Sequence, residues 1–408
     1  MITGDAVDIP ALVEDGSMRD VVALLPLLSP RSRERGAEAV RAVDAIVARS
    51  TPADLEHFEA THRVITWADP WAAWTDLHVD AAMPRSLLGV ASFHGNGFLR
   101  ERAVALLALQ TDGFELPFLL IRCNDWVDRV HEVALAAAAA RVQSSYAAHW
   151  LRCAALLDPE RDIRRRQDAL IGVRARVLRL LAEPRHDGVV EAAAVSGDAA
   201  VARMVLELAR ALPDVRARPL LLAATKNPNG GVARVAARTL LGRSPRDLLG
   251  PFAQAAMADA RRTLRVVGVE AWAKLHPSEA EPRLRAALLD PARVVREQAR
   301  YELPRCTGIP FDAKAFYRAA LAEAGRPALE GLAEVGDASD LPVFRHLLDD
   351  PRPAVRAAAV MGIGRNSESA DHPRIAAALR DPSRLVRRAA RPYARRLWGA
   401  VRLRGSRA

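Results

Sequence analysis

A short signature returns along this chain at a nearly constant interval, and that interval decides what the chain can fold into. Asp290-Pro291 is followed by Val295, Arg296 and Ala299 at offsets +5, +6 and +9. The same pattern recurs at Asp350-Pro351, with Val355, Arg356 and Ala359, and at Asp381-Pro382, with Val386, Arg387 and Ala390. Asp158-Pro159 keeps Ile163 and Arg164 but has Gln167 in place of the alanine. Three weaker copies lack the proline: Asp259 with Leu264, Arg265 and Gly268; Asp125 with Val130, His131 and Ala134; His94 with Leu99, Arg100 and Ala103. Asn227-Pro228 keeps Val232, while its arginine slips to Arg234. Most gaps between anchors are 31 to 33 residues, and the two long gaps, 69 and 60, are close to doubled. Arg326 and Leu329 fit a further copy near 320, and another is expected at 190–198, where no clean alignment emerges. About ten units of this length describe a solenoid, a stack of units that each bury a face on the next.

Each unit reads as a helical hairpin. Asp or Asn before Pro predicts a helix start, with the carboxylate as N-cap and proline in the first helical turn. The apolar residue at +5 and the small one at +9 lie on one helical face, and the small residue lets a neighbouring helix approach closely. Upstream of each anchor lies a second amphipathic segment, such as Leu341–Leu348.

The phrase Gly336-Asp337, Leu341-Pro342, Leu347-Leu348-Asp349-Asp350-Pro351, Val355-Arg356, Ala358-Ala359 resembles the unit of the HEAT repeat family in its short bacterial form, the PBS-lyase HEAT-like repeats. The resemblance covers about 94–400 and implies an all-α solenoid. It also implies that the Asp and Arg of successive units form a ladder, which makes Arg164, Arg265, Arg296, Arg356 and Arg387 structural. Without it, the same arginines read as a phosphate-binding row. Tetratricopeptide repeats have a similar length but need a Trp/Gly/Tyr/Pro pattern that does not occur here.

Residues 1–93 lack the period and are expected to form a helical cap, in which Ser17 caps Met18–Leu28 and Thr51-Pro52-Ala53-Asp54 is a capping box opening Leu55–Ile65. Residues 94–400 are the repeat region and 401–408 a basic tail. Interruptions at Gly242–Pro251, Pro304–Pro310 and Arg365–Pro373 read as long inter-helix loops, and Pro392 as a kink or break in the last helix.

The net charge of +10 is concentrated at the C-terminal end. Residues 380–408 hold ten Arg and one acid, or +9, which leaves +1 for the rest. A smaller basic run lies at Arg161–Arg179. Arg384, Arg387, Arg388, Arg391, Arg395 and Arg396 are the candidate anion- or nucleic-acid-binding set. Only three of the 59 basic residues are lysines, and heavy Arg with heavy Ala is also what a GC-rich genome produces, which weakens the inference from charge alone.

No phosphate-loop, dinucleotide-binding, metalloprotease or nucleophile-elbow motif is present. Ser92 and His94 have the wrong spacing for a catalytic pair, and His57 and His62, at i, i+5, point to different helix faces. Cys123, Cys153 and Cys306 are too far apart for a zinc or redox motif and read as buried thiols. No catalytic residue, cofactor or metal site is assigned. Five of seven tryptophans fall between 67 and 150. Trp67, Trp71 and Trp74 would share a helix face if Pro70 did not intervene. Asn124 and Trp126 lie in a turn that stacks on His94–Gly97, one period earlier, and end the unusually apolar and aromatic stretch Leu116–Trp126. These five, Trp67, Trp71, Trp74, Asn124 and Trp126, are the candidate partner-binding residues.

The expected protein is an α-solenoid of about ten hairpins with an N-terminal cap. It is read as a non-catalytic scaffold that binds a protein partner on a concave surface. The alternative is nucleic-acid binding through the C-terminal arginines. Two narrower readings rank below both: a HEAT-like DNA glycosylase and a chromophore lyase. No apolar run approaches 18 residues, so no integral membrane segment is expected, and the lack of a signal-peptide pattern makes the cytoplasm the default location.

Overall fold

The computed structural model describes residues 7–28, 33–64, 78–158, 167–366 and 369–405. Among them every regular element is helical, 24 α-helices with short 3₁₀ turns and no strand. The chain divides into two compact units, Met1–Thr239 and Leu240–Ala408.

From Arg85 onward the helices fall into ten successive pairs, a short or medium first helix followed by a second helix. Leu116–Arg122 with Asp128–Ala140 typifies the first unit, and Glu281–Ala287 with Arg293–Thr307 the second. Ala103, Ala134, Ala299, Ala359 and Ala390, all at +9, are fully buried. Gly268 holds the same position, and a Cβ there would lie 2.4 Å from the backbone nitrogen of Met257 on the paired helix, so the small residue sets the helix–helix approach.

The anchor aspartate does something other than the N-capping expected of it. The second helices start at +3, at Asp128, Arg262, Arg293, Pro353 and Arg384. The anchor carboxylate instead accepts the backbone N–H at +2: Val127 onto Asp125 at 2.9 Å, Ala292 onto Asp290 at 2.7 Å, Arg352 onto Asp350 at 2.8 Å and Ser383 onto Asp381 at 2.7 Å. This is an Asx turn, with proline inside the turn rather than at the first helical position. It leaves the outer edge of the carboxylate free for the preceding repeat.

That edge takes the ladder. In the second unit, Arg265 Nε and Nη2 donate to both oxygens of Asp290 at 2.8 and 3.0 Å, while its Nη1 reaches the carbonyls of Asp259 and Ala260. Arg356 repeats this on Asp381 at 2.9 and 3.0 Å, with Nη1 on the Asp350 carbonyl. Arg296 meets no aspartate one period on, where Leu321 stands, and turns to Glu330 and Glu334 of helix Arg326–Val335. In the first unit Arg100 makes the same bidentate bond to Asp125 at 2.9 and 3.0 Å. Arg164 lies outside the described residues.

The copy expected at 190–198 is in place: Asp198 caps helix Ala199–Ala211, and Asn227 Nδ2 donates to the carbonyls of Ala194 and Ser196, the latter 31 residues back. Its arginine position is Ala202, so the bond runs in reverse from an asparagine.

Before the first pair, the chain provides helices Ile9–Asp15, Val21–Leu24, Arg33–Arg49 and Pro52–Val64. The expected capping box of Thr51 with Asp54 forms, and Ser17, expected only as a cap, makes one with Asp20. The expected helix Met18–Leu28 is instead a 3₁₀ turn Met18–Asp20, a short helix Val21–Leu24 and a 3₁₀ turn Leu25–Leu28. The expected interruptions shrink. Pro251 lies inside helix Arg246–Met257, and Pro304 in the last turn of Arg293–Thr307, which Gly308 closes at φ +70. Asn366 ends helix Pro353–Asn366 only three residues before the 3₁₀ turn Ser369–Asp371. Pro392 does not break the last helix, which runs from Arg384 to Gly405; burial of Val386, Ala390 and Ala394 on one side holds it through the lost N–H.

Candidate interaction surfaces

The region around Asn124 and Trp126 is built on buried charge. Arg100, Asp125 and Arg122 are at most 1% exposed. Asp125 takes Arg100 on one side and Arg122 Nη1 at 2.8 Å on the other, and Arg122 also pairs with Glu59 of helix Pro52–Val64. Burial pushes the Asp125 carboxyl up, but the Arg100 bond and the Arg122 charge outweigh it and hold the carboxyl below its usual range. Trp126, 43% exposed, has the Arg100 guanidinium carbon over its ring, 4.2 Å from the centroid. Trp126 thus covers the rung. Asn124 is half-buried.

The two turns do stack: a Cβ on Gly97 would lie 3.3 Å from Val127 Cγ2, and Arg100 bonds the carbonyls of His94 and Gly95. His94 is buried with Nδ1 accepting from Asn96 N–H, and Ser92 Oγ donates to the Gly89 carbonyl, so this Ser/His pair finishes a helix.

The apolarity of Leu116–Ile121 has a packing cause. All seven residues of helix Leu116–Arg122 are buried, because helix Pro52–Val64 covers the side that would otherwise face solvent. Phe58, Phe93, Phe118 and Phe114 run through this contact with ring centroids 5.4 to 5.9 Å apart. A helix covered on every side is apolar all round. Trp67, Trp71 and Trp74 lie outside the described residues.

A cleft of about 730 Å³ opens elsewhere in the first unit. The Ser50–Pro52 turn of the N-terminal helices forms one wall, and Leu151, Val189, Ala192 and Val201 the apolar remainder. Arg152 and Asp198 stand among the lining residues, and Arg152 Nη2 reaches the Ser50 carbonyl at 3.4 Å, across 102 residues. Nothing in the repeat signature marks this cleft, since it needs a turn from outside the periodic region.

The six C-terminal arginines divide into two groups. Arg387 Nη1 donates to the carbonyls of Asp381 and Pro382, each at 2.7 Å, and Arg396 Nη2 to the Gly364 carbonyl at 2.7 Å. Both are part of the repeat framework. Arg384, Arg388, Arg391 and Arg395 are exposed, and no carboxylate among the described residues reaches them.

Among the described residues no three His, Cys, Asp or Glu side chains gather in a metal-binding group. Cys123 and Cys153 are buried free thiols, and Cys306 is half-buried. Burial pushes the Cys153 thiol up to about 12. Among the described residues no helix is long and apolar enough to cross a membrane.

The family model for HEAT repeats matches residues 318–392. No curated protein matches the chain at a significant level.

Proposed function

We propose, from the HEAT-repeat match at residues 318–392 and the all-helical fold, that the chain is a non-catalytic interaction scaffold that docks a protein partner on its first unit. HEAT repeats are commonly protein-interaction scaffolds. The observation that carries the reading is the cleft between the Ser50–Pro52 turn and the walls at Leu151, Val189, Ala192 and Val201. Its apolar lining with charged groups of both signs, Arg152 and Asp198, is the chemistry that takes an apolar anchor side chain from a partner and fixes its orientation with a few polar contacts. Val189 is 38% exposed, which leaves apolar area open to such an anchor.

A photo-crosslinking amino acid at position 189, in the source cell, tests this. The expected result is a discrete protein adduct that is lost when Ala192→Arg fills the cleft, with no such adduct from position 215, an exposed valine of the same unit. Equal labelling from both positions, or an adduct that survives Ala192→Arg, overturns the placement.

A further inference from the structure

Arg384, Arg388, Arg391 and Arg395 stand at offsets +3, +7, +10 and +14 from their anchor, Asp381. The same offsets in the preceding repeat are Pro353, Ala357, Val360 and Gly364. Ala357, Val360 and Gly364 are buried, and a Cβ on Gly364 would lie 2.3 Å from the Tyr393 ring of the following helix. This is the side of a second helix that the next repeat covers. In helix Arg384–Gly405 the same side is exposed and carries four arginines where the repeat before it carries small and apolar residues.

We propose that this arginine face is a binding site for the phosphodiester backbone of a nucleic acid. One arginine per turn, at i, i+4, i+7 and i+11, makes a straight cationic stripe about 16 Å long. Like charges at these spacings repel one another along a helix, so a bound polyanion relieves a repulsion already present. All four are arginines, whose planar forks suit phosphate oxygens. The face fits the other occupants less well. A second copy of the chain would set four arginines against four. A protein partner needs an apolar centre with charge at the rim, and here the charge occupies the centre of the stripe. Arg387 and Arg396 take no part, because their guanidinium groups are held on backbone carbonyls.

The test is fluorescence anisotropy of the full chain with labelled single-stranded and duplex DNA and RNA, against an R384Q/R388Q/R391Q/R395Q variant. Glutamine keeps helix propensity and removes only the charge. Circular dichroism confirms that the variant is folded. Arg293→Gln, an exposed arginine already paired with Glu297, is the control. Four phosphate contacts predict an affinity loss of roughly 100-fold between 50 and 200 mM salt. The quadruple variant should bind at least about 10-fold more weakly at 50 mM, with a much flatter salt dependence, and the control should match the wild type. No binding by the wild type at 50 mM salt would make the stripe a solvated cap and overturn the proposal. Equal binding by the quadruple variant would overturn it too. So would labelled polyglutamate binding as tightly as nucleic acid, which would assign the face to an acidic protein.

Discussion

The rung Arg100–Asp125 in the first unit and the rung Arg265–Asp290 in the second are the same hydrogen-bonding device in two environments. Both are bidentate, with donor–acceptor distances between 2.8 and 3.0 Å, and in both the arginine also bonds the carbonyls of its own turn. Their cover differs. Arg100 and Asp125 are 1% and 0% exposed, whereas the side chains of Arg265 and Asp290 are 15% and 11% exposed. Trp126 lies over the first rung, Arg122 of helix Leu116–Arg122 joins it at Asp125, and Glu59 of helix Pro52–Val64 pairs with Arg122. A repeat signature specifies the bond; what packs over it sets how much depends on it.

The largest expected effect is therefore on the covered rung. Asp125→Ala leaves Arg100 and Arg122 buried without their shared carboxylate and should cost about 3–5 kcal/mol in urea denaturation. A loss below about 1 kcal/mol would erase the distinction between the rungs. Asp290→Ala, in the partly wetted rung, should cost about 1.5 kcal/mol. Trp126→Ala sharpens the comparison by uncovering Arg100 while keeping its bonds, and should cost about 1 kcal/mol. At the small end, Arg293→Gln removes an exposed i, i+4 pair and should change stability by no more than about 0.5 kcal/mol.

Acid probes the anchor aspartates of the second unit. The Arg356 bond holds the Asp381 carboxyl below its usual range against the opposing effect of burial. The Arg261 bond does the same for Asp259, and Arg352 holds Asp350 at about 2. Folded values lie below the unfolded value of about 3.9, so this contribution is fully present above it and is lost as pH falls through the folded values. Melting temperature should therefore hold level from neutral pH to about 5 and drop below about 4. In Asp381→Asn the drop should be shallower; an identical acid limb would show that the rung does not sense the proton.

The period and the hairpins were legible in the sequence, because each depends on residues within one or two repeats. So were the cap at Ser17 and the capping box at Thr51, which are local by nature. The structural role of the +6 arginine came only from the resemblance to HEAT repeats, since the residues alone read equally as a phosphate-binding row. The copy at Ser196 was obscured because Ala202 stands where arginine was sought and Asn227 supplies the bond from the other side. The burial of Leu116–Ile121 was illegible because its cause, helix Pro52–Val64, lies some 60 residues upstream and outside the period. The cleft at Val189 is hidden for the same reason. The split among the C-terminal arginines needed coordinates, since Arg395 and Arg396 are both exposed and only the bond to the Gly364 carbonyl sets Arg396 apart.

The central claim is that cover, rather than hydrogen-bond geometry, sets the energy of a rung. Double-mutant cycles on Arg100/Asp125 and on Arg265/Asp290, read by urea denaturation, test it most directly. The account predicts a coupling energy of about 2–3 kcal/mol for the covered pair and about 1 kcal/mol or less for the wetted one. Equal coupling in the two pairs would contradict it.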